Sequence, residues 1–138
     1  MTDSHRPEDV SVYNERSLQR LAWAIEASVG QFKLIFAHCN YASVRSQLVE
    51  RLQNICSVDI HILTLKESDQ TLYATIQAAL GETQPAAVMV LGLESVRHLD
   101  PMLTAADQVR EEFRKQFHFP LGLWVNDTVG QKLMELAP

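Results

Sequence analysis

The residues of this chain best suited to chemistry fall at the ends of short apolar runs. His38, Cys39 and Asn40 follow Phe32–Ala37, and Lys66 and Glu67 follow Val58–Leu65. Gly92–Glu94 close the run Ala86–Leu93, and Asn126 and Asp127 follow Pro120–Val125. The stretch Ala37–Val44 has the spacing of a phosphate-gripping loop, G-x-x-x-x-G-K-[ST]. In such a loop the glycines let backbone N–H groups wrap the phosphates, the lysine neutralises them and the hydroxyl holds Mg²⁺. Here Ala37 and Ala42 stand at the glycines, Ser43 at the lysine and Val44 at the hydroxyl. Each change removes one contribution: alanine resists positive φ, serine carries no charge and valine ligates no metal. A helix starting there keeps its dipole and free N–H groups, so only a weak anion or nucleotide site, at Asn40, Ala42, Ser43, Val44 and Asn126, is left to expect.

Beyond that loop the candidates are single residues with two readings each. Glu94 could serve as a general base or cap the turn before Asp100, and the turn is the favoured role, because a base without a γ-phosphate has no task. Asn126 could sense a γ-phosphate or cap the following helix. Arg110 could act in trans as an arginine finger, or belong with Glu111, Glu112, Arg114 and Lys115 to a solvated helix face, where Glu111 and Lys115 sit at a favourable i,i+4 spacing. His38, Cys39 and His61 could meet as zinc ligands, but no paired spacing such as C-x-x-C supports a metal and none is expected. No G-x-S-x-G elbow supports a nucleophile. A phosphoacceptor receiver is disfavoured, since His38 and Gly92 stand where its acids should be.

The elements that must position these residues alternate. A polar tail, Met1–Val10, precedes a helix whose apolar face carries Leu18, Leu21, Ala22, Ile25 and Val29, stopped by Gly30. Four apolar runs follow, mostly continuous, as in parallel strands buried on both faces. Behind each comes a helical stripe: Val44, Leu48, Leu52 and Ile55; then Leu72, Ile76 and Leu80; then Leu103, Ala106, Val109, Phe113 and Phe117, opened by Asp100 as cap and Pro101 in the first turn; then Leu133 and Leu136 behind a cap at Asp127. Alternation at these lengths predicts βαβ units, a parallel sheet and one α/β domain over residues 11–138.

The bulk numbers narrow the partners. In 138 residues the formal net charge is -5, without a basic run, so nucleic acid and anionic membranes are poor partners. No apolar stretch approaches spanning length and the amino terminus lacks a signal-peptide core, which points to the cytoplasm. Cys39 and Cys56, the two cysteines, are expected as buried or half-buried free thiols.

Four stretches together carry a resemblance. They are Phe32–Tyr41 (FKLIFAHCNY), Val90–Val96 (VLGLESV), Gln108–Lys115 (QVREEFRK) and Phe119–Asp127 (FPLGLWVND). In that order they resemble the amino-terminal NTPase-like domain of large multidomain signalling proteins, typified in cyanobacteria and followed by WD40 or TPR repeats. These resemble the STAND branch of signal-transduction NTPases, related to AAA-type ATPases. The resemblance implies a P-loop NTPase-like, three-layer αβα fold with four strands in the order 2-3-4-1. It places the phosphate-loop slot at Ala37–Val44, the Mg²⁺-acid slot at Gly92–Glu94 and the sensor slot at Asn126. With two of those slots emptied, the expected function is a regulatory or assembly module that does not hydrolyse nucleotides. No cofactor is expected beyond weak ATP and Mg²⁺, and the partners are other proteins or a second copy. The rivals are a weak ATP- or GTP-binding switch and an unrelated α/β enzyme with its site around His38, Cys39 and Glu94. The chain ends where relatives run on, so an excised domain is one expectation. In the order 2-3-4-1 the run Phe32–Ala37 would be a bare edge, to be covered by the amino-terminal helix or by a two-fold mate. If the turn after that run has the phosphate-loop shape, restoring Gly, Gly, Lys and Thr at positions 37, 42, 43 and 44 should create measurable ATP affinity by calorimetry.

Overall fold

The computed structural model describes residues 8–136, apart from the side chains of Glu8 and Leu136. In chain order the elements are β1 (Glu8–Ser11), α1 (Glu15–Ala27), β2 (Lys33–His38), α2 (Ala42–Ile55), β3 (Ile60–Thr64) and α3 (Leu72–Leu80). Then come β4 (Ala87–Leu91), a 3-10 turn (Leu93–Ser95), α4 (Leu99–Gln108), α5 (Arg110–Gln116), β5 (Pro120–Val125) and α6 (Asp127–Leu136). The strands form one parallel sheet in the order β1-β2-β5-β4-β3. The α/β class with a parallel sheet and flanking helices is therefore as expected.

The strand count and order are not. The sheet has five strands rather than four, because Glu8–Val10, expected as part of a loose tail, pairs with Ile35–Ala37. Val10 and Val12 are buried against α1 and β2, and that burial holds a segment whose polar sequence gives little sign of a strand. The edge expected to be bare is thus covered by β1, not by α1 or a second copy. Met1–Pro7 lie outside the described residues.

The sheet separates two cores. α1 and α2 cover one face, where Leu18, Leu21, Ile25, Leu48 and Leu52 meet Ile35, Ala37, Met89 and Trp124. α3 to α6 cover the other, where Ile76, Met102, Leu103, Phe113, Phe117, Val129 and Leu133 meet Val88, Val90, Leu121 and Leu123. The right-handed crossover rule explains the division: α1 and α2 precede strands reached by moving one way along the sheet, α3 to α5 those reached by moving back. β5 sits between β2 and β4 with all its residues buried. Gly122 at its centre faces Met89, whose Sδ accepts a hydrogen bond from Trp124 Nε1 at 3.0 Å. A Cβ at 122 would run into that sulfur.

Local signals explain most helix ends, with some corrections. Asn14 caps α1: its Oδ1 accepts from Ser17 N–H at 2.9 Å while Ser17 Oγ accepts from Asn14 N–H at 3.1 Å. Val29 lies beyond α1 and is exposed. The third stripe is broken at Val109 into α4 and α5. α4 begins at Leu99 after His98, so Pro101 lies in its first turn as expected, but Asp100 lies there too rather than at the cap. α6 is capped by Asn126, whose Oδ1 accepts from Val129 N–H at 2.8 Å, and not by Asp127. Between α1 and the end of α2, Glu26 accepts from the Ser57 N–H at 2.7 Å. That bond holds its carboxyl below the usual range. Cys39 is half-buried and Cys56 buried, both free, and burial pushes the Cys56 thiol up. Among the described residues no helix is long and apolar enough to cross a membrane.

With β1 on one side and β5 on the other, the amide of Phe36, which faces β1, should exchange with deuterium as slowly as that of Ile35, which faces β5. Loop-like exchange at Phe36 beside a protected Ile35 would show that β1 does not dock.

Candidate functional site

In an open α/β sheet the ligand crevice opens beyond the carboxyl ends of the strands, where outgoing connections diverge to opposite faces. Here that point lies between β2 and β5. β2 leads into α2 on one face and β5 into α6 on the other. Four of the sequence candidates, Asn40, Ala42, Ser43 and Val44, are placed on the β2 side of this crevice, and Asn126 on the β5 side.

The β2–α2 connection is shorter than a phosphate loop. Ala37 and His38 are still strand, and Ala42, Ser43 and Val44 are already helix, leaving only Cys39, Asn40 and Tyr41 between. Among the described residues no non-glycine residue has positive φ. The turn therefore lacks the left-handed backbone that lets successive N–H groups wrap an anion. Tyr41, at the cap of α2, makes no side-chain cap, so the first N–H groups of that helix are left to other partners.

What fills the crevice is the chain's own polar groups. Asn40 bridges to the start of α6: its Oδ1 accepts from Asp127 N–H at 2.8 Å and its Nδ2 donates to Asp127 Oδ2 at 3.1 Å. Below it, Cys39 N–H donates to the Val125 carbonyl at 2.9 Å. Arg45, in the first turns of α2, pairs with Glu94 in the 3-10 turn after β4. Since β5 lies between β2 and β4, this pair passes over the carboxyl end of β5. Side-chain exposure is 17% for Arg45 and 27% for Glu94, so the larger part of each side chain is covered by the protein. Arg45 Nε is buried without a hydrogen-bond partner.

The same pattern continues to both sides. His38 Nε2 lies 2.8 Å from Asp9 Oδ1, joining β2 to β1. Its ring also packs against α6, where a Cβ on Gly130 would stand 3.2 Å from His38 Cε1. Arg97 pairs with Glu67 and donates its N–H to the Glu67 carbonyl at 3.0 Å, joining the turn after β4 to the loop after β3. Gly92, at φ +88°, makes the turn that starts this arrangement, and a Cβ there would stand 3.0 Å from the Leu65 carbonyl oxygen.

Several candidates accordingly have other roles. Glu94 neither stands free as a base nor caps the turn before Asp100; it is the counterion of Arg45. Asn126 spends its side-chain oxygen on capping α6. Arg110 is exposed on α5, 3.5 Å from Asp107, and Glu111 pairs with Arg114 rather than Lys115. His38, Cys39 and His61 are not brought together: His61 sits on β3, separated from β2 by β5 and β4. Among the described residues no group of three or more His, Cys, Asp or Glu could hold a metal. His38, Cys39 and Glu94 each have separate partners, Cys39 Sγ lying 3.7 Å from the Tyr41 carbonyl. Sequence reasoning missed Arg45 and Asn40's bond to Asp127. A signal for the first was available: a cation in the opening turns of a helix opposes the dipole and calls for a nearby acid.

Replacing Glu94 by Gln should cost about 1–3 kcal/mol in urea unfolding, because it strands a mostly buried guanidinium. Adding Arg45→Met to Glu94→Gln should recover part of that loss, giving a coupling of about 1–2 kcal/mol in the double-mutant cycle. Additive effects would show that the pair does not interact. No family model, curated protein or solved structure matches this chain.

Proposed function

We propose that this chain is a degenerate NTPase-like module that regulates or assembles the protein it serves by contact, without hydrolysing nucleotide. One observation carries the reading: the crevice at the β2–β5 divergence is filled by Arg45 against Glu94. In a working site of this kind, a cation near the start of the first crossover helix faces phosphate, and an acid after the third strand of the core faces Mg²⁺. Here the cation and the acid neutralise each other, leaving neither charge for a ligand. The neighbour relations β3-β4-β5-β2 support a P-loop-like core. The resemblance to STAND-type signalling proteins supplies the regulatory setting, with protein partners and a cytoplasmic location as part of the same reading.

A second reading keeps some support, that of a weak nucleotide-binding switch. Its basis is the first turn of α2, whose N–H groups receive no side-chain cap from Tyr41. Binding there would have to separate Arg45 from Glu94 or proceed without the arginine.

Melting of the chain with millimolar Mg-ATP, Mg-GTP and the diphosphates separates the two. A competent site at one hundred times its Kd adds about 2.7 kcal/mol and several degrees. The module reading expects a shift below about 1 °C and no phosphate release. It also expects no gain from the four-residue repair Ala37→Gly, Ala42→Gly, Ser43→Lys and Val44→Thr, because the connection is too short to wrap a phosphate. A shift of several degrees in the unaltered chain would favour the switch.

A further inference from the structure

The outward face of α1 gathers two cations and two exposed aromatic rings. At the helical repeat, Arg16, Arg20, Trp23 and Ala27 fall within an arc of about 60°, and all four are exposed. Arg16 is the second residue of the helix, where a cation opposes the dipole, and Arg20 follows it at i,i+4, where like charges repel. Among the described residues neither guanidinium has an ion pair. Trp23 continues the stripe at 69% exposure, and Tyr13, just before the cap, is 74% exposed. The acids of α1 do not offset this charge. Glu15 is bonded to Arg51 at 2.7 Å and Glu26 to the Ser57 N–H at 2.7 Å, both on the flank toward α2. Arg45 faces the same dipole penalty with Glu94 beside it; Arg16 has no such acid.

We propose that this face docks an acidic amphipathic helix of a partner protein, with Arg16 and Arg20 on two of its carboxylates and Trp23 against its apolar flank. The 13 residues of α1 present a face about 20 Å long. Arginines four residues apart stand about 6 Å apart along the axis, the spacing of carboxylates four residues apart on a facing helix. An indole beside guanidiniums is also the composition that anchors protein interfaces.

Charge selects the occupant. An anionic bilayer or a nucleic acid is held by many cations side by side, and this stripe has two, on a chain of net charge -5. A second copy does not supply the acids either: no single helix among the described residues carries two of them three or four residues apart. A separate protein with acids at that spacing meets both arginines at once. α1 contributes no residue to the β2–β5 crevice, so the inference stands whether or not nucleotide binds there, and the melting experiment above decides that question separately.

The probe is a synthetic, tryptophan-free helix of about 20 residues, with glutamates four residues apart down one face and leucines beside them. Trp124 is wholly buried, so a change in tryptophan emission during titration reports Trp23. The peptide should move that emission to shorter wavelength with a micromolar Kd, and added salt should weaken binding. Arg16→Glu and Arg20→Glu should each weaken it about tenfold. Trp23→Ala should do the same, read by the anisotropy of a labelled peptide. Arg16→Glu should also raise the melting temperature of the free chain by about 2–4 °C, since it places an acid at the positive end of the dipole and one turn before Arg20. Binding lost while stability rises is the mark of a contact residue rather than a structural one. An emission that the peptide leaves unchanged overturns the proposal. So do reversals without effect on binding, equal binding of a lysine-for-glutamate peptide, or an Arg16→Glu chain that melts lower. Tighter binding to phosphatidylcholine vesicles with about one-third phosphatidylserine, or to duplex DNA, also overturns it in favour of that partner.

Discussion

A guanidinium in the opening turns of a helix stands against the positive end of the helix dipole, a penalty of about 0.3–1 kcal/mol before any burial. Arg45 is in that position, and most of its side chain is out of water. Such a charge can be kept only beside an acid. The acid comes from the turn after β4, so the crossover after β2 and the connection after β4 must meet above β5. The rest of the carboxyl edge is consistent with that requirement. Asn40 fastens α6 to the same turn, Asp9 holds His38, and Arg97 ties the loops after β3 and β4. Polar contacts thus join β1 to β2, β2 to β5 and β3 to β4, and Arg45 with Glu94 reaches from the β2 side to the β4 side across the end of β5.

That arrangement defines what the crevice can do. A phosphate site needs donors that are unspent before the ligand arrives. Here the side-chain N–H of Asn40 is given to Asp127 and the guanidinium of Arg45 to Glu94, both within the chain. Arg45 Nε, buried and unpartnered, is the exception, and its orphaned donor reduces the net value of the pair. The resulting edge is a cross-braced surface rather than an open cleft.

Much of the fold was legible because burial writes itself into pattern. The runs at β2, β3, β4 and β5 are apolar on consecutive residues, as strands covered on both faces must be, and the helical stripes of α2 and α3 follow them at regular spacing. β1 was not legible. It has four residues, only one of them buried and apolar, and it is held by its neighbours rather than by its own composition. The break at Val109 was hidden too, because an apolar stripe keeps its phase across a kink. At the site, sequence spacing located the right segment but not its geometry. Ala37 and Ala42 have the separation of loop glycines, yet the strand runs to His38 and the helix starts at Ala42. Glu94 was visible as an acid in a telling place. Its partner could be found only by asking what neutralises Arg45, a contact across 49 residues of chain.

The place of β5 sets an order of events on the folding chain. β1 can pair with β2 through α1, and β3 with β4 through α3, each within a short stretch of sequence. β5 is the last strand made and the middle strand of the sheet, and it alone joins those two halves. The contact between Asn40 and Asp127 closes 87 residues of chain, and non-local closure of this kind slows folding. Until β5 arrives, β2 and β4 each present an unpaired inner side to water, and both are apolar. During synthesis the first half of the molecule must therefore wait with its stickiest strands uncovered, so the period before Val125 emerges is when this chain has most need of a chaperone.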